Sequence, residues 1–233
     1  TGGTIRYNYS VNGEPWSGMQ TAKDTYGIEY TRGWHIHEGK VNYTSMLYRS
    51  DKLRIDNSGI EVFDWWTDKN FNHGYHMRNV GWIQFSYLEN TSKKFIVANT
   101  HWSYRTEHVG NTLAATNTKI ENDTLRTQCK NETNTLMTSL KSKYSNIPIF
   151  MTGDFNTTIT YFTVDNWTPK GYNVISEQAK NNGTALSTVP ISGHYDHLFG
   201  TGTYTVKKYE IIDNVNEINT LTDHPFVYAD LAF

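Results

Sequence analysis

Residues 147–152 read Ile-Pro-Ile-Phe-Met-Thr, and Gly153-Asp-Phe-Asn156 follows at once. A short uncharged apolar run closed by a glycine matches a central strand covered on both faces. Just ahead, across residues 111–144, Leu125, Cys129, Leu136 and Leu140 fall on one helical face between polar residues. That spacing predicts one or two amphipathic helices feeding the buried strand. Further short runs of apolar, β-branched or aromatic residues, bounded by turn formers, predict strands at 44–49, 80–87 and 94–100. Others follow at 196–200, 204–212 and 226–233. Mostly strands, with a long helix leading into a buried one, predict a layered α/β architecture.

The 233 residues suit one large domain or at most two. No repeat, low-complexity tract or Pro/Ser linker marks a boundary, so a single domain over 1–233 is expected. The lone Cys129 excludes a disulfide framework and any Cys-x-x-Cys zinc site. With 21 basic and 23 acidic residues the charges nearly cancel, which excludes a whole-domain basic footprint while leaving room for a local basic groove. No apolar run reaches the length of a membrane span. No signal peptide is visible ahead of Thr1, so the start is expected to be processed or trimmed. Asn-x-Ser/Thr triplets at Asn8, Asn42, Asn90, Asn122, Asn131, Asn156, Asn166 and Asn182 fit a glycosylated secreted protein, or simply an Asn/Thr-rich chain. The second explanation is preferred for the triplets. Secretion remains the expected location, with the cytoplasm as its alternative.

Four segments set acids, amides and imidazoles at or just beyond strand ends, where open α/β folds place their sites. They are Asn99-Thr-His101-Trp102, Gly153-Asp154-Phe-Asn156, Tyr195-Asp196-His197-Leu-Phe and Thr222-Asp223-His224-Pro225. Each alone reads as a turn, a loop or a rim residue; the ordered set is harder to dismiss. Weaker candidates are His35-Ile-His37-Glu38, for which a solvent-facing loop is preferred to a metal site, and the loop histidines His73 and His76. Trp65-Trp66 and Trp102-x-Tyr104 offer either stacking surfaces or core packing.

In this order the four segments resemble the motifs of the endonuclease/exonuclease/phosphatase superfamily, which includes pancreatic-type deoxyribonuclease, abasic-site endonucleases and sphingomyelinases. Ser45-Met-Leu-Tyr-Arg49-Ser-Asp-Lys52, Ser58-Gly59 and Arg78-Asn-Val-Gly-Trp82 extend the likeness, which runs from about Tyr26 to Phe233. The resemblance implies a four-layered α/β sandwich, with two mixed β-sheets packed face to face and flanked by helices. It also implies a metal-dependent hydrolase of phosphate esters, most simply a nuclease-like phosphodiesterase acting as a monomer on nucleic acid or a small phosphodiester. Carried over by position, Asp154 would orient or deprotonate the attacking water, and Asn156 would donate its amide to the phosphate. His224 would bond the developing charge, with Asp196 holding its tautomer and favouring its protonated form. His101 and Arg78 would add further phosphate contacts. Asp223, with Asp154, would bind the metal, and oxygen-rich ligation implies Mg²⁺ with Mn²⁺ or Ca²⁺ as substitutes.

The N-terminal part departs from the family. Thr4 stands where relatives carry a site Asn, and the segment holding their principal metal-ligand Glu is missing near residues 19–20. Glu29 lies too close to Arg49 in sequence to replace it, and Asn42 stands where many relatives have a supporting Glu. Three explanations compete: the sequence omits a segment, the protein has lost it and binds metal weakly or not at all, or a different carboxylate substitutes for the Glu. The alternative reading is therefore a catalytically degenerate module that binds a phosphorylated or glycan ligand without turnover. Neither an inositol-phosphatase signature nor a membrane-binding hairpin is present.

Overall fold

The computed structural model describes residues 21–23, 29–32, 46–63, 79–102, 108–109, 112–113, 119–159, 171–186, 194–212 and 224–233. The chain forms two compact units, Thr1–Cys129 and Lys130–Phe233.

In the first unit, β1 (Thr21–Lys23), β2 (Glu29–Arg32) and β3 (Leu47–Tyr48) pair antiparallel in that order. A second antiparallel run joins β4 (Leu53–Val62), β5 (Asn79–Tyr87) and β6 (Lys94–His101). The small strands β7 (His108–Val109) and β8 (Thr112–Leu113) pair with each other. Lying between two neighbours, β5 buries Val80, Ile83 and Phe85, whereas β6 alternates buried and half-buried residues. That alternation is the period of a strand with one covered face.

The sequence reading missed β4, because Asp56-Asn-Ser-Gly59 looks like a turn. Three features keep it extended. The register with β5 shifts between Ile55 and Asn57, so a bulge absorbs an irregular step. Asp56 sits at that bulge and is held by Lys94 Nζ at 2.6 Å, by Arg54 Nε at 2.9 Å and by the Ser86 hydroxyl at 3.1 Å. The Lys94 ammonium, foremost among these, holds the Asp56 carboxyl below the usual carboxylate range. Gly59 then lets the Trp82 indole lie against the backbone, since a Cβ there would meet Nε1 at 2.6 Å. Trp102 is fully buried, which settles its role as core packing.

The boundary between the units falls within α1 (Lys119–Lys143), a single 25-residue helix. Its buried stripe runs Cys129, Thr133, Met137, Leu140, a 4-4-3 spacing that places the expected Leu136 at the flank. Lys141 and Lys143 in its last turn complement the helix dipole. The second unit continues with β9 (Ile149–Asp154), β10 (Asn173–Val174), α2 (Ile175–Asn181), β11 (Asp196–Thr201), β12 (Thr205–Ile212) and β13 (Phe226–Ala232). Strands β10, β11 and β9 pair antiparallel in that order, and β12 pairs with β13. Ile149, Phe150 and Met151 are all buried, as expected for a strand covered on both faces. No described helix is long and apolar enough to cross a membrane.

Candidate active site

The second unit gathers its polar side chains where β9 ends and β11 begins. In this antiparallel pair Asp154 lies directly opposite Asp196. Directly opposed residues share a face and stand within about 5.5 Å, so two carboxylates there repel unless a cation lies between them. Gly153 precedes the first of them at φ +151°, a backbone that disfavours any side chain. The Phe155 amide donates to the Tyr195 carbonyl at 2.9 Å and carries the pairing one step further. The Asn156 amide donates to Asp154 Oδ1 at 2.8 Å, and Asn156 takes φ +50°, a left-handed turn conformation that asparagine tolerates. This turn fixes the Asp154 carboxylate before any ligand arrives.

His224, two residues ahead of β13, supplies the imidazole. Its Nδ1 lies 2.6 Å from Asp196 Oδ2, while Nε2 lies 3.9 Å from Asp154 Oδ2, beyond hydrogen-bond reach. The side chains of Asp154, Asp196 and His224 are 17%, 25% and 34% exposed, so the cluster is walled but open to a ligand. One donor atom from each lies within 4.8 Å of the others, close enough to hold a metal ion together. Two carboxylates and an imidazole suit a hard divalent cation, and Mg²⁺ usually takes only one or two carboxylates with water and phosphate completing its shell. The sequence reading had given Asp196 to His224 alone; here it also belongs to the metal-capable group.

Of the residues expected from sequence, Asp154, Asn156, Asp196 and His224 are thus in one unit, with the three ionisable ones together. His101 is the last residue of β6 in the other unit and is half-buried. Glu29 opens β2, paired opposite Lys23. Arg78 and Asp223 lie outside the described residues, as do Thr4, Asn42, His35, His37, Glu38, His73, His76, Trp65, Trp66 and Tyr104.

Sequence reasoning missed the support beneath the site. His197 follows Asp196 but points to the opposite face, where it is 2% exposed and bonds the Thr157 carbonyl through Nε2 at 2.8 Å. That bond ties the turn after Asp154 to β11. Burial, against the opposing pull of the Thr157 carbonyl, pushes His197 down to about 4. An unfolded chain takes up this proton below about pH 6.5, whereas the folded chain resists until about 4. Stability from this group is therefore complete above about pH 7 and declines as pH falls from 6.5 towards 4, by roughly 3 kcal/mol. Urea unfolding of the parent and of His197→Asn at pH 7.5 and 5.0 tests this. The variant should lose much less stability between the two pH values, and an unchanged difference would remove His197 as the source.

No protein-family model and no curated protein matches the chain. Solved structures do. The mannosyl-6-phosphatase of Bacteroides thetaiotaomicron is 21% identical over 81% of this chain and 70% of its own, with a TM-score of 0.56. An endonuclease/exonuclease/phosphatase from Bacteroides vulgatus is 22% identical over 80% and 69%, with a TM-score of 0.55. The catalytic domain of human Nocturnin, solved with bound sulfate, is 14% identical over 81% and 63%, with a TM-score of 0.54. At such identities the likeness establishes the fold and leaves the chemistry to the side chains.

Proposed function

We propose that this chain, whose fold is that of the endonuclease/exonuclease/phosphatase proteins, hydrolyses phosphate esters, and phosphodiesters in particular. The observation that carries the reading is His224 set against two carboxylates that face each other across one strand pair. Asp196 accepts the Nδ1 proton, which fixes the ring and directs Nε2 into the site. A carboxylate near each nitrogen stabilises the imidazolium, whose Nε2 proton can then meet the charge that builds on a phosphate oxygen. Asp154, anchored by the Asn156 amide, is the base that orients water and takes its proton. The Asn156 side chain is the neutral donor to the same phosphate. A divalent cation, held by Asp154 and Asp196, would supply the charge neutralisation that lets water approach an anionic ester.

The reading is tested with bis-p-nitrophenyl phosphate, p-nitrophenyl phosphate and plasmid DNA, each with Mg²⁺, with Mn²⁺ and after chelation. Metal-dependent turnover that favours the diesters is expected. Turnover that ignores both metal and chelator would overturn the metal role. A folded protein inactive on every ester would instead be the binding module without turnover.

A further inference from the structure

The turn that presents Asp154 holds a conformation it would not choose alone. Asn156 stands at φ +50°, a left-handed backbone that costs energy for any residue with a Cβ and persists where the surroundings impose it. The residues on either side of it are both gripped by β11 and the residue ahead of it. On one side the Phe155 amide donates to the Tyr195 carbonyl. The fully buried Phe155 ring lies 5.9 Å from the His197 ring and 5.2 Å, edge-on, from that of Phe199. On the other side His197 donates its Nε2 proton to the Thr157 carbonyl at 2.8 Å, within the core. In the strand register His197 lies opposite Gly153, one step from the Asp154–Asp196 pair, so it fixes the turn without touching the ligand face. Burial holds its ring neutral at neutral pH, so what it gives the turn is a hydrogen bond and a ring contact rather than charge. A buried carbonyl that lost this donor would be left unsatisfied, and the turn is the part that can move to find another partner. Such movement reaches the chemistry, because the Asn156 amide fixes Asp154 Oδ1 at 2.8 Å. A reacting group displaced by about 1 Å can cost about 10²-fold in rate.

We propose that His197 is a positioning residue for hydrolysis: from β11 it holds the Asn156 turn in the left-handed form that anchors the Asp154 carboxylate opposite Asp196. This rests on the reading of Asp154 as the base of a phosphoesterase. Three variants test it. His197→Phe keeps a ring without its donor, and His197→Gln returns an amide N–H near the place of Nε2. Ile149→Ala weakens the buried start of β9 and leaves the turn untouched. Well below every thermal midpoint, kcat and KM for bis-p-nitrophenyl phosphate are measured with Mg²⁺, beside hydrogen exchange of the Asn156 amide by NMR. His197→Phe should lower kcat by about 10–100-fold with KM within about threefold. It should also speed exchange at Asn156 about tenfold, the worth of one hydrogen bond. His197→Gln should bring both back to within about threefold of the parent. Ile149→Ala should lower the thermal midpoint and keep kcat within about twofold. Parent-like kcat in His197→Phe would overturn the proposal, as would equal losses in the phenylalanine and glutamine variants. So would a fall in kcat for Ile149→Ala that matched His197→Phe, since general destabilisation would then explain both. If the parent hydrolyses no ester, hydrolysis fails as a reading, and exchange at Asn156 still decides the grip: an unchanged rate in His197→Phe would overturn it.

Discussion

Asp154→Asn is expected to lower kcat for phosphodiester hydrolysis by about 10²–10⁴-fold, the usual worth of a positioned base. The substitution isolates charge from architecture. The Asn156 amide bonds Asp154 Oδ1, and an asparagine oxygen in that place can accept the same bond. The turn therefore survives, and the opposition between residue 154 and Asp196 loses its like-charge repulsion. Thermal stability should be unchanged or slightly higher while catalysis collapses. Asp154→Ala should show the same catalytic loss and, with the turn bond gone, about 1 kcal/mol less stability. Steady-state kinetics and thermal unfolding of the two variants separate these effects. An Asp154→Asn enzyme that kept more than a tenth of parental kcat would remove Asp154 from the base role.

The strands that position this site were legible because each is a short apolar run, and residues 147–154 needed nothing more. What escaped notice depends on partners far along the chain. Strand β4 passes through Asp56-Asn-Ser-Gly59 because Lys94 neutralises the acid and Trp82 fills the space that a side chain would need. Neither partner is visible from the segment itself. Helix α2 is short, and its cap residue Val174 makes no side-chain cap hydrogen bond, so the usual start signal is missing. The dipeptide Asp-His occurs at Asp196-His197 and again at Asp223-His224, with different outcomes. Strand parity turns Asp196 to the site and His197 into the core, whereas at the second copy the histidine reaches the site. The dipeptide marks where chemistry can sit, but only the strand register says which residue performs it.

The same parity yields a prediction about the pair rather than the residues. His224→Ala should lower kcat by about 10²–10⁴-fold, since it removes the group aimed at the phosphate. Asp196→Asn should cost nearly as much without touching His224. An amide can present its NH₂ to Nδ1 and so hold the ring in the opposite tautomer, and it offers no charge to an imidazolium. If Asp196 acts through His224, the double variant should be no slower than the worse single variant by more than about threefold, because residues that act as a unit are not additive. Losses that multiplied would mean that Asp196 contributes independently, through the metal-capable group it shares with Asp154. Metal affinity measured on the same variants identifies that case: His224→Ala would leave two carboxylates and Asp196→Asn one. Coupled kcat losses, with metal affinity falling further in Asp196→Asn than in His224→Ala, would give Asp196 both roles, one through the ring at 2.6 Å and one through its place opposite Asp154.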